Sequence, residues 1–224
     1  MSFSLLVKII NSSGYLINQK LLGLDTLHYF LQRNLGEFDD SVESYIEGED
    51  LWYEQNSKNL ELHMLEIARR VHNYISVYYS LFEQTQKFRK ELDDKNFDLK
   101  YKKKVEEIFN PIESLLIKHL REYFQHYDIP PIKVKIENES FGYGKDKKIV
   151  LLDSGKLLKY ERLNAKLKEY IKSNEIDLVE LIHSHNTRLK EFYKWFNSIL
   201  SERYREELKE LSQYEKEYRE SIEH

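Results

Sequence analysis

Proline placement constrains this chain more than any other feature. Three prolines occur in 224 residues, at positions 111, 130 and 131. A proline inside a helix removes a backbone donor and clashes with the preceding turn. Long proline-free stretches therefore leave helices free to run. From about Glu49 to Leu92, the residues Leu60, Met64, Ile67, Val71, Tyr74, Ile75, Tyr78, Leu81, Phe82 and Phe88 recur at three- and four-residue spacing, which predicts a helix. A helix of about forty residues would span roughly 60 Å at 1.5 Å rise, long enough to kink or break. Asp93-Asp94-Lys95-Asn96 reads as the polar turn that ends it.

The same period returns over 104–128, on Val105, Ile108, Phe109, Ile112, Leu115, Leu116, Leu120, Tyr123, Phe124 and Tyr127. Pro111 either kinks this helix or opens a new one. Asn110 as cap and Pro111 as first helical residue is a favoured start, and Pro130-Pro131 stops the helix. Residues 132–152 then change period to two. IKVKIENES, the turn-forming FGYGKD and KKIVLLD predict a β-hairpin. Asp177 and Glu180 form a capping box for a last helix whose apolar stripe runs from Leu178 to Ile222, narrowing beyond about residue 203. The first fifty residues predict a short helix with Leu5, Leu6, Ile9 and Ile10, broken at Asn11–Gly14. A second helix there is capped by Asp25, carries Leu27, Phe30, Leu31 and Leu35, and ends at Gly36. The expected fold is mainly α: a bundle of long antiparallel helices with a small β-hairpin around 132–152. It is a single domain over 1–224, with residues 1–50 as an N-terminal helical extension and 203–224 as an extended helix end.

Composition agrees with that reading. Charged residues make up 33 %, and glycine and proline together only ten residues, a balance that suits long helices. Seventeen tyrosines and eleven phenylalanines supply core material. With no cysteine, disulfides, thiol catalysis and cysteine-based zinc sites are excluded. No apolar run approaches the roughly 18 residues that span a bilayer, and the N-terminus lacks a basic region and a cleavage site. A cytoplasmic protein without a membrane partner is expected. Residues 37–54 hold eight acids and no base, so with the chain at −4 the remainder carries +4, and +7 once 201–224 is also set aside. Such a body permits an anionic partner.

The chemistry-bearing side chains gather near the end of the 104–128 helix. His119, Glu122 and His126 are three and four residues apart and share a face. They read as a polar stripe with a Glu122–His126 contact, or as part of a metal site. His183 and His185, two apart, point roughly 200° from each other and cannot easily share an ion. Arg121 and His126 are five apart, roughly 140° on an ideal helix. Meeting on one ligand requires a bend at the helix end, or a second protomer. Arginine offers a fixed charge for phosphate and histidine a proton acceptor near neutral pH, the parts that metal-free RNA cleavage by 2′-OH attack requires. No glycine-rich phosphate loop, G-x-S-x-G or H-E-x-x-H occurs.

Arg121-Glu122-Tyr123-Phe124-Gln125-His126, an arginine followed by histidine near the end of a helix, resembles the signature of the HEPN superfamily. Ala68-Arg69-Arg70-Val71-His72-Asn73-Tyr74-Ile75-Ser76 is similar to the first long helix of bacterial proteins with HEPN-like helices, as are the hairpin and the Tyr193-Lys194-Trp195-Phe196 helix. The likeness covers about residues 55–200. It implies a homodimer that cleaves RNA without metal or cofactor, of toxin or phage-defence type. Arg121 would bind the scissile phosphate and His126 act as general base or acid, with His72, Asn73, His119 and Glu122 as supporting polar groups. Ribonuclease members usually carry a small polar residue where Glu122 stands, and a carboxylate there repels phosphate unless a cation neutralises it. Two readings stand beside this one: a non-catalytic helical interaction or scaffold protein of the same fold, and a metal protein.

Overall fold

The computed structural model describes residues 2–47, 57–129, 131–137 and 147–223. The start of the long predicted helix at 49–56 and the turn residues FGYGKD lie outside them. Among the described residues the chain is mainly α, nine helices with one two-stranded antiparallel sheet.

The frame is a pair of 35-residue helices, α2 (Ser13–Glu47) and α3 (Ser57–Glu91). They run antiparallel, since Lys20 pairs with Glu91, the Asn34 amide donates to the Asn73 carbonyl (3.3 Å) and Arg70 meets Glu37. On α2 the buried positions Leu24, Leu31, Leu35, Phe38, Val42 and Tyr45 follow a helical period, and on α3 Ile67, Val71, Tyr74, Ile75 and Leu81 do the same. Burying each such side chain is worth about 1.5–3 kcal/mol, enough to carry α2 past two residues expected to punctuate it. Asp25 does not cap a helix; it accepts a hydrogen bond from the Tyr193 hydroxyl at 3.1 Å. Gly36 does not end one: α2 runs through it to Glu47, with Leu35 and Phe38 on either side of it buried. The described part of the acidic run, up to Glu47, is the C-terminal part of this helix.

The turn after α3 places Asp93 at φ 43°, in the left-handed region that aspartate tolerates better than most residues. Asp94 then caps α4 (Lys95–Phe109), accepting from the Asn96 and Phe97 amides. α5 (Ile112–His126) follows. Pro111 does begin a new helix, but the cap differs from the expected one. Asn110 closes α4, donating its amide to the Glu106 carbonyl, and Pro111 precedes α5 with no side-chain cap.

The hairpin pairs β1 (Ile132–Glu137) with β2 (Lys147–Leu152), from Ile132 opposite Leu152 to Glu137 opposite Lys147. Short helices α6 (Ser154–Leu157) and α7 (Ala165–Ser173) lead into α8 (Leu178–Arg203). Asp177 caps α8 through the Val179 and Glu180 amides, as the capping-box spacing predicts. Phe192 and Phe196 on α8 interlock with Phe82, Phe88, Phe97, Tyr101 and Phe109 in one aromatic core. At Tyr204 the last helix breaks, and α9 (Arg205–Glu223) folds onto α1 (Ser2–Ile10) and the start of α2. Gly14 sits at that contact. A Cβ there would lie 2.2 Å from the Glu207 carbonyl oxygen, so only glycine fits.

Candidate functional site at the end of α5

α5 packs between α3 and α8, with Leu116, Ile117 and Leu120 fully buried. This packing sets where the polar residues of α5 go. Arg121 turns toward α3. Its guanidinium rests 3.8 Å from the centroid of the Tyr79 ring, and Glu83 is at ion-pair distance, 4.0 Å. Tyr79 is pushed up to about 12 by burial, with the Arg121 charge opposing the shift. A cation on an aromatic face with its charge shared by a carboxylate is a settled arrangement.

Glu122 and His119 form a second contact, Nδ1 to Oε2 at 3.4 Å. That spacing allows charge interaction but not a well-made hydrogen bond, and Nδ1 has no hydrogen-bond partner. Burial holds the His119 pKa below the ordinary histidine value, opposed by Glu122 and helped by Lys118. Glu122 therefore meets His119 on the N-terminal side, not His126 as the polar-stripe reading expected.

His126 is the last residue of α5 and is exposed. It forms no hydrogen bond or ion pair among the described residues. α5 is helical through His126, so no bend before that residue turns it toward Arg121. His72 is also exposed and packs edge-on against Phe124, ring centroids 5.0 Å apart. Among the described residues, Asn73 contributes only its backbone carbonyl, to Asn34. The structure thus gathers Arg121 with Tyr79 and Glu83, and Glu122 with His119. It leaves His126 and His72 exposed, with no hydrogen bond or ion pair for either among the described residues. Among the described residues no group of three histidine or carboxylate side chains is placed to hold a metal.

Two partners of the site were not singled out by the sequence reading. Tyr79 and Glu83 are four residues apart on α3, a spacing that puts both on one face. Nothing in the chain indicates which α5 residue that face meets.

The other histidine pair of interest lies on α8. His183 is exposed and contacts Asp39 at 2.8 Å. His185 is fully buried, its Nδ1 2.9 Å from the Tyr74 hydroxyl and its ring edge-on to Tyr78 at 4.4 Å. Burial, helped by the Arg188 charge, lowers its pKa to about 3. Nε2 is buried without a hydrogen-bond partner, and edge-on contact with an aromatic ring is a geometry in which a ring N–H can rest on a π face. The two histidines face apart, as their two-residue spacing requires.

No family model, characterised protein or solved structure matches the chain.

Proposed function

We propose that this protein is a non-catalytic helical interaction protein built on a HEPN-like arrangement of helices, in which Arg121 is structural. The Arg121–Tyr79 contact carries the reading. An arginine seated 3.8 Å over a tyrosine ring of the neighbouring helix, beside Glu83, already has its charge placed, and His126 is the last residue of α5. Incubation with RNA in excess chelator checks this. The expected result is no cleavage, together with a lower melting temperature for Arg121→Ala. Cleavage by the wild type that disappears in His126→Ala overturns it.

A metal-independent endoribonuclease is the second reading, and the exposure of His126 supports it. A histidine without a hydrogen-bond or ion-pair partner among the described residues, at a helix end, is available to act as base or acid on RNA brought by a second protomer. The same cleavage assay separates the two.

A further inference from the structure

Gly14 and Gly23, both on α2, have opposite surroundings. An added Cβ at Gly14 would strike the Glu207 carbonyl, whereas at Gly23 it would meet nothing within 4 Å. A glycine inside a helix destabilises it relative to alanine. At Gly14 the absent side chain lets α9 approach. At Gly23 it leaves an exposed opening instead.

That opening belongs to a cavity of about 310 Å³ between α2 and the Gln84–Glu91 end of α3, a volume that suits a small ligand. Its floor is apolar. Leu24 and Phe88 are buried there and Leu27 is half-buried. The Lys20 ammonium stands over the Phe88 ring, 5.6 Å from its centroid, so the ring turns a face toward the rim of the cavity. Contacts with Phe196 and Tyr204 hold the same ring in the core.

The rim is polar and only partly committed. Lys20 and Glu91 pair with each other across the seam. Gln19, Gln84 and Lys87 are exposed at the cavity and make no hydrogen bond or ion pair among the described residues.

These groups define the chemistry of an occupant. A flat apolar body covers the floor and stacks offset on the Phe88 face. With Lys20 and Glu91 offsetting each other, Lys87 is the uncommitted charge of the rim, and two side-chain amides offer N–H donors beside it. One delocalised negative charge matches that set, since a carboxylate accepts from a lysine and from amides together. A doubly charged phosphate would face the Glu91 carboxylate with one uncommitted cation to offset it. A cationic head would face Lys87 and Lys20.

We infer that the cavity at Gly23 binds a small aromatic monocarboxylate, with its ring on the floor of Leu24, Leu27 and Phe88 and its carboxylate at Lys87 and the two glutamines. This assignment does not depend on the role of Arg121.

The test is a titration of the full chain followed through its backbone amide resonances. The probe is indole-3-acetate, with indole and acetate as its separate halves. Indole-3-acetate is expected to bind with a Kd on the order of 1 mM, as the usual affinity per non-hydrogen atom gives for a ligand of that size. Its shifts should concentrate at residues 19–27 and 84–91. Indole should bind about fivefold more weakly, the worth of one exposed charge contact. Lys87→Gln should bring indole-3-acetate to the affinity of indole and leave indole unchanged. Gly23→Leu fills the opening with a better helix former, so it should lose both ligands while its helix content and melting temperature stay at or above those of the wild type. A folded Gly23→Leu chain that binds as tightly as the wild type overturns the inference. So do shifts that fail to saturate about tenfold above that Kd, or that lie outside the two stretches. A Lys87→Gln chain that still prefers indole-3-acetate to indole overturns the placement of the carboxylate.

Discussion

His185 and His126 are the same residue in opposite surroundings. His185 stands in the middle of α8, fully buried between Tyr74 and Tyr78. His126 stands at the last position of α5, exposed. Burial makes the first a neutral core group whose ring fills space and shares a hydrogen bond with the Tyr74 hydroxyl. It is silent as an acid or base near neutral pH because charging it requires desolvating an imidazolium. The second has no hydrogen bond or ion pair among the described residues to hold its ring. A catalytic histidine needs a place between these extremes, open to substrate yet held by a neighbour, and neither residue has that place within one copy of the chain.

Four measurements break or sharpen this contrast, the largest effect first. His185→Ala removes a buried ring and leaves the Tyr74 hydroxyl unpaired. It should lower unfolding stability by about 3–4 kcal/mol in chemical denaturation, and a change below about 1 kcal/mol would show the ring to be dispensable. Next comes pH. Folded His185 binds its proton near 3 and the unfolded side chain near 6.5, so between those values the unfolded state holds more protons. Its contribution is complete above pH 6.5 and falls as pH drops, by about 1.4 kcal/mol per unit and so about 2 kcal/mol at pH 5. His185→Leu should flatten that part of the profile.

Arg121→Ala should cost about 1 kcal/mol through loss of the contact with Tyr79, with Arg121→Lys recovering only part because a lysine head lacks the planar stacking surface. Equal stability of the alanine variant and the wild type would detach Arg121 from the fold and return it to the list of available charges. Smallest of all, His126→Ala should change the stability by less than about 0.5 kcal/mol, as exposed substitutions usually do. A larger loss would mean that the helix end depends on this ring.

The fold was legible in the chain wherever one signal was strong and local. The apolar stripe of α3, the proline at 111, the alternation of 132–137 and 147–152 and the Asp177 cap each act within a few residues of themselves. The first fifty residues were misread where Asp25 and Gly36 looked like a cap and a stop. Their signals are worth only about 1 kcal/mol each, less than the burial of Leu31, Leu35 and Phe38 against α3. For the candidate site, periodicity placed Arg121 and His126 on different faces, and α5 is helical through both residues. It did not name Tyr79 or Glu83, because they sit on another helix about forty residues earlier, and which turns of two helices meet depends on the whole packed bundle.

By itself, then, the sequence determined that long helices form, where prolines and caps divide them, and which faces are apolar, because those properties follow from spacing along one chain. Only the tertiary structure decided that Arg121 lies over Tyr79, that His185 is buried while His183 two residues away is exposed, and that Gly14 is pressed against the Glu207 carbonyl. Each of these is a contact between elements far apart in sequence. Its partner is selected by the shared core, where the burial of many side chains outweighs the preference of any one.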